Sequence, residues 1–339
     1  MKITSHFFLL LIIAFACTEK EEKSIPIIEL KPIKTITQLD SLFFTSVSIF
    51  ADEERNYIIS QNPVFLAATD KDFNILWSHN EEGHGPNELD FPEQGKVFDE
   101  HLNILDQGNQ SLKRFDSKTG EFISSTKVPE PFMKFRFGMS KNGESFISYY
   151  SPSENISVLK INNLGEISGR FGSQFPESIG PNRQMKYIQL DDNENIILIG
   201  ASLPFVEILN QEGKSINRFD IGKYEPVKRV LDSLEHDIIK GERITPNSIP
   251  MIIKDAQFSA GKLYLSFTDR IGEDRTKARN LLVFRLNEKE CVLESIFKFK
   301  TSTEDDNLHP AYFYIDQSSQ KLYVQGLITK HLYVFDLPN

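Results

Sequence analysis

The chain has two cysteines in 339 residues, Cys17 and Cys291, so at most one bridge is available and a disulfide scaffold is excluded. Basic residues are also in short supply: 38 Lys and Arg stand against 48 Asp and Glu, for a formal net charge of -10, and no basic cluster offsets it. Phosphate backbones are held by concentrated Lys and Arg, which excludes nucleic acid as a partner. The apolar run from Phe7 to Ala16 falls well short of the ~20 residues a membrane-spanning helix needs. No G-x-S-x-G, H-E-x-x-H, P-loop or C-x-x-C motif occurs. The glycine-rich GHGP at 83–86 is no phosphate cradle, because a proline follows and no helix opens there. No motif therefore names a ligand or a reaction.

What is present begins at the N-terminus. Lys2 precedes the short apolar run, no acidic residue occurs before Cys17, and small residues (Ala14, Ala16) stand just ahead of it. That is the layout of a secretory signal. The junction resembles the lipobox of bacterial lipoproteins, which implies a signal peptide at 1–16 and a diacylglyceryl group on Cys17. Several acyl chains anchor a protein durably, at ~0.8 kcal/mol per buried methylene, where one holds it marginally. Glu19 to Lys23 is all charge and reads as a solvated tether, residues 17–26. It is similar to the charged signal that sends Bacteroidetes lipoproteins to the cell surface. With Cys17 carrying lipid, Cys291 has no partner, and its strand-like flanks predict a buried, quiet thiol.

Residues 27–339 are organised by a repeat. Asp70, Asp116, Asn162 and Asn210 open similar turns at intervals of 46, 46 and 48 residues; Asn287 follows after 77 and Asp336 after 49. Asp and Asn suit these positions because their side chains bond to nearby backbone amides, and Gly120, Gly165 and Gly213 supply positive φ. Four short β-prone runs per repeat give the spacing of a propeller blade. Six openers predict an all-β, six-bladed β-propeller. The last repeat ends one strand short at Asn339, and Ile27 to Ile36 is expected to supply the missing strand, with Pro32 at an outer edge. The long interval predicts an insertion at about 222–250 between blades four and five. Within it Val227, Val230, Leu231, Leu234 and Ile238 share one stripe between Pro226 and Gly241, an amphipathic helix that either packs against the propeller or serves as a lid.

Glu81 to Phe122 resembles an NHL-type repeat through Gly83, Gly85, Pro86, Phe91, Pro92, Asp106, Asn109, Arg114, Phe115, Asp116 and Gly120. Together with the lipobox, this is similar to the TolB-like six-bladed propeller lipoproteins of Bacteroidetes. The detailed match covers one repeat, and GSQFPESIGPNRQ at 172–184 departs from the pattern.

In such a blade the loop between the second and third strands shares a rim with the loop leading to the next blade. The long loops all fall there: 79–93, 107–110, 172–184, 270–280 and 302–309. Candidate ligand-binding residues on that rim are His84, Gln107, Asn109, Arg270, Arg275, Asp305, Asp306 and His309. His84 lies between glycines and reads chiefly as a turn residue, lacking an adjacent nucleophile or base. Glu304, Asp305 and Asp306 with His309 form an acidic cluster that alone reads as a solvated loop and, opposed across the pore by Arg270, Arg275 and Lys277, makes a polarised pocket for a zwitterionic or sugar-like ligand. Asp191 to Asn195 offers oxygen ligands for calcium but sits at a hairpin turn.

The sequence thus predicts a monomeric binding or protein-interaction module without a cofactor or metal. It is lipid-anchored to the outer membrane and takes a protein or carbohydrate ligand on one propeller face. The alternative is a calcium-dependent, lactonase-like propeller hydrolase. The innermost strands are expected to offer few carboxylates and amides to the pore, which favours binding.

Overall fold

The structure is a computed structural model that describes residues 24–39, 47–128, 137–149, 155–173, 185–239, 251–268, 278–300, 308, 310–326 and 331–338. Locally it is built on the Asp and Asn turns. Asp70 Oδ1 accepts the amides of Asp72 and Asn74, both at 2.9 Å, and Asp116 Oδ1 those of Lys118 (2.9 Å) and Thr119 (2.7 Å). Asn162, Asn210 and Asn287 accept amides in the same way. Gly120, Gly165 and Gly213 have φ of 76°, 87° and 82°, where a side chain would be strained. Each turn closes a hairpin whose alternating residues then bury one face against the next repeat.

The described strands form six sheets. Two short strands, β1 (Ile27–Leu30) and β2 (Lys34–Ile36), precede the first blade. Blade one is β3 (Val47–Ala51), β4 (Asn56–Gln61), β5 (Val64–Thr69) and β6 (Ile75–His79). Blade two is β7 (Pro92–Phe98), β8 (His101–Asp106), β9 (Ser111–Asp116) and β10 (Phe122–Lys127). Blade three is β11 (Gly138–Met139), β12 (Ser145–Ser148), β13 (Val158–Ile161) and β14 (Ile167–Phe171). Blade four is β15 (Lys186–Leu190), β16 (Ile196–Gly200), β17 (Phe205–Leu209) and β18 (Ser215–Asp220). After helix α1 (Glu225–Ile239), blade five is β19 (Ile253–Ser259), β20 (Lys262–Thr268), β21 (Ala278–Leu286) and β22 (Cys291–Phe299). Blade six is β23 (Pro310–Asp316), β24 (Lys321–Gly326) and β25 (Leu332–Asp336). First strands touch first strands: β3 meets β23 and β7, and β19 meets β15 and β23. They are the innermost strands, arranged around an axis.

The buried apolar side chains divide into six clusters, one for each seam between neighbouring blades. Six blades joined by six seams make a closed ring. The seam between blades six and one is as apolar as the rest: Tyr323, Leu332 and Val334 pack on Ile49, Ile58 and Phe65. Amide side chains stitch the innermost strands together. Gln94 Oε1 accepts the Phe137 amide at 2.8 Å, and Gln257 both accepts from Ile315 N (2.8 Å) and donates to Ile315 O (3.0 Å).

The N-terminal segment closes the ring in two pieces, a refinement of the single strand expected over Ile27 to Ile36. β1 pairs in parallel with β22 as a fifth strand on blade five, whereas β2 pairs antiparallel with β25 and completes blade six. Pro32 sits in the break between them, where its missing amide interrupts no ladder. Leu30 is buried in the seam between blades five and six, and Ile36 and Leu39 in the seam between six and one. Asp336, counted among the turn openers, starts no hairpin here, because the fourth strand arrives from the other end of the chain; it pairs with Lys321 at 2.6 Å.

The insertion between blades four and five is helical as expected. Val227, Val230 and Leu234 are buried and Leu231 is half-buried, against Ala201, Val206, Ile221 and Ile252. The stripe is thus a packing face on the seam of blades four and five.

Candidate functional site

The largest-scale asymmetry of the ring lies between its rims. Innermost strands begin at the rim that carries the long loops, and a cavity of about 320 Å³ opens there. Ser48 and Gln61 of blade one, Phe91, Glu93 and Gln94 of blade two and Met185 and Tyr187 of blade four line it. Met251, Lys254 and Asp255 of blade five and Tyr312 of blade six complete it. A cavity touched by five of six blades lies on the ring axis, at the mouth of the central channel. Its volume is at the lower end of the range for small-molecule sites, about 300–1,000 Å³. No residue of α1 lines it, so the described part of the helix is not a lid over this mouth.

Backbone irregularity shapes the mouth. The pairing of β7 with β8 skips one residue between Pro92 and Gln94, that of β19 with β20 one between Ile253 and Asp255, and that of β23 with β24 one between Pro310 and Tyr312. These are β-bulges, which bend a strand and re-aim the extra side chain. In blades two and five the extra residues are Glu93 and Lys254, and both line the cavity. Blades two and five are three places apart in a ring of six, hence opposite. One negative and one positive side chain therefore face the axis from opposite walls.

Lys254 has neither a hydrogen-bond acceptor nor a carboxylate partner among the described residues, and burial lowers its pKa. Its neighbour Asp255 is engaged elsewhere, with Oδ1 accepting the Ala256 amide (2.9 Å) and Oδ2 the Phe313 amide (3.0 Å). The Tyr187 hydroxyl donates to Ile253 O at 3.1 Å, which ties blade four to blade five. Among the described residues the mouth thus combines one ammonium without a partner, a fixed carboxylate beside it, a second carboxylate opposite, and walls of Phe91, Met185, Tyr187, Met251 and Tyr312.

Of the residues expected to bind ligand, His84, Gln107 and Asn109 form one group on blade two, and none of them lines the cavity. Asn109 Nδ2 donates to Gly83 O (2.9 Å), Glu88 O (3.3 Å) and Asp106 Oδ2 (2.8 Å). The buried Lys113 ammonium donates to Gly85 O (3.1 Å) and Glu88 O and lies 3.3 Å from Asp106 Oδ2. Asp106 also accepts the Asp90 amide, and burial raises its carboxyl above the usual range despite Asn109, that amide and Lys113. This buried knot fixes the loop at 81–90. His84 lies on top, 79% exposed, with Nδ1 3.1 Å from Asn109 Oδ1 and 3.5 Å from Asp90 Oδ2. Gln107 is held through its own amide to Phe91 O at 3.2 Å. Asn109 with Asp106 and Lys113 thus ties the loop in place, and Lys113, the residue at the centre of the knot, was not among those the sequence singled out. Cys17, Arg270, Arg275, Asp305, Asp306 and His309, with Lys277 and Glu304, lie outside the described residues.

Asp191 is a turn residue as well: Oδ1 accepts the amides of Asn193 (2.9 Å) and Asn195 (2.7 Å), and Oδ2 the Asn195 side chain (2.9 Å). Among the described residues no three His, Cys, Asp or Glu side chains gather as a metal-holding group. The innermost strands carry more amides and carboxylates than expected, namely Glu93, Gln94, Gln189, Asp255 and Gln257. Gln94, Asp255 and Gln257 are engaged in bonds between blades or along their own strand. Deeper between blades three and four, Lys186 Nζ donates to Ser173 O at 2.6 Å. Burial drives its pKa down to about 7, with Arg218 acting in the same direction and Glu207 against it.

No family model matches the chain. No curated protein matches it either. Solved structures do match over most of its length. A member of the duf4221 family from Bacteroides vulgatus covers 91% of this chain and 97% of its own, at a TM-score of 0.58 and 11% identity. An exported protein from Bacteroides fragilis covers 88% of each chain at 0.56 and 12%. The virginiamycin B lyase of Staphylococcus aureus covers 90% of this chain and 98% of its own at 0.52 and 11%. At such identities the likeness establishes the propeller fold alone, which hosts an exported protein and a lyase alike.

Proposed function

We propose that this chain is a binding module of the bacterial cell envelope, tethered by lipid at Cys17 and taking its ligand at the channel mouth. It belongs, in this reading, with the TolB-like, NHL-type propeller lipoproteins that Glu81 to Phe122 resembles. The observation that carries the binding role is the axial cavity, where Lys254, without a partner among the described residues, stands among aromatic and thioether side chains. A half-buried cation without a partner is costly unless something compensates it, and a ligand on the axis does so. The absence of basic clusters argues against nucleic acid, and the cavity is of a size for one small molecule or one inserted side chain.

Native mass spectrometry tests both halves at once. The mature chain, extracted from the envelope of a Bacteroidetes host, is expected to carry a lipid mass and a small-molecule mass. Cys17→Ala loses the first, and Ser48→Phe, which fills the mouth from β3, loses the second. A chain without lipid, or a small molecule retained undiminished in Ser48→Phe, contradicts the corresponding half.

A further inference from the structure

Granting the binding role just proposed, we infer that the mouth is built for an organic monoanion, a carboxylate carried on a compact apolar body. The carboxylate meets the Lys254 ammonium, and the body lies along Met185, Tyr187, Met251 and Tyr312. Three features select this chemistry. Lys254 is the residue that the bulge in β19 adds to the strand, and it lines the axial cavity without a partner among the described residues. A bulge that places a charge in an apolar cavity leaves that charge to be satisfied from outside the fold. Second, among the described residues only one ammonium lines the cavity, whereas Glu93 stands on the opposite wall and Asp255 beside it. A phosphate or dicarboxylate brings a second negative charge toward those carboxylates, and a monoanion does not. Third, the rest of the lining is mainly aromatic and thioether surface, which rewards apolar area, and of its amides Gln61 donates to Pro92 O and Gln94 accepts the Phe137 amide, both already engaged.

Two sources supply this chemistry, a free organic acid and the C-terminus of a peptide with an apolar last residue. Isothermal titration of the purified mature chain with 4-phenylbutyrate, 4-phenylbutanamide and 4-phenylbutylamine tests the class. N-acetyl-alanyl-phenylalanine and its C-terminal amide test the peptide source. The acid is expected to bind at least tenfold more tightly than the amide or the amine, the scale of a hydrogen bond to a charged group. Lys254→Met removes that preference and Lys254→Arg retains it, while the thermal melt of Lys254→Met shows that the ring is intact. If the acetylated dipeptide acid binds more tightly than 4-phenylbutyrate the source is a peptide terminus; the reverse order identifies a free acid. Equal binding of acid and amide, tighter binding of the amine, or an acid preference that survives Lys254→Met overturns the inference. Should none of these probes bind while Ser48→Phe still displaces a native ligand, the monoanion is wrong and the binding role stands. If no native ligand is found either, both fall.

Discussion

Closure of the ring by the N-terminal segment gives a graded prediction inside one short stretch of chain. Leu30 is 6% exposed and packs in the seam between blades five and six with Phe297, Leu281 and Phe313. Ile33, three residues on, is 54% exposed and outside every apolar cluster. Truncating a buried Leu to Ala costs about 2–5 kcal/mol, whereas an exposed substitution stays within about 0.5 kcal/mol. Leu30→Ala is therefore expected to lower the guanidinium midpoint clearly and Ile33→Ala to leave it in place. Starting the chain at Thr37 removes more. It deletes both Leu30 and Ile36 from their seams and strips β25 of its outer partner β2, including the Ile33 amide bond to Val334 O at 2.8 Å. Two buried truncations of that size consume much of a typical net stability of about 5–15 kcal/mol, and the bared edge invites association. The single Trp77, whose indole donates to Ser117 O across the seam of blades one and two, reports unfolding without labelling. Equal midpoints for Leu30→Ala and Ile33→Ala, or a chain from Thr37 as stable as the intact one, would refute the clasp.

Three further outcomes follow from side chains already placed. Lys186, held at about 7 against its usual 10.5, lacks a proton that the unfolded chain binds between those values. Stability should therefore climb with pH across that window, at up to about 1.4 kcal/mol per pH unit, and fall away as pH drops toward 7; Lys186→Met should flatten the slope in denaturation curves taken from pH 6 to 10. Gln257→Ala strands the amide and carbonyl of Ile315 and should cost about 2–4 kcal/mol by guanidinium denaturation, with exposed Gln320→Ala as the neutral comparison. Burial raises the Cys291 thiol to about 12, so iodoacetamide at neutral pH should leave it unmodified in the folded protein and alkylate it on unfolding, as peptide mass spectrometry would record.

Different levels of this structure were legible to different degrees. The blades were legible because their turns are local: Asp70, Asp116, Asn162 and Asn210 bond to amides within four residues, so the signal lies in contiguous sequence. The helix was legible for a similar reason, since Val227, Val230 and Leu234 recur at its own period. The clasp was half legible. The segment Ile27 to Ile36 was expected as one strand with Pro32 at its edge, but which blade each flank of Pro32 joins depends on strands nearly three hundred residues away, and β1 went to blade five. The mouth was the least legible part. Its lining comes from the starts of five inner strands, and Lys254 lines it as the extra residue of a bulge, a property of register between β19 and β20. Reading the loops led instead to His84 and Asn109, whose partners Asp106 and Lys113 show a tie that holds a loop in place.

The claim on which the functional account stands is that the occupied surface is the channel mouth on the loop-bearing rim. A crystal of the mature chain grown with 4-phenylbutyrate examines it directly. Ligand density on the ring axis, with the carboxylate within hydrogen-bond reach of Lys254 Nζ and the ring against Tyr187 and Met251, is the expected result. Density at the opposite rim or between two blades, with the mouth holding only water, would contradict it.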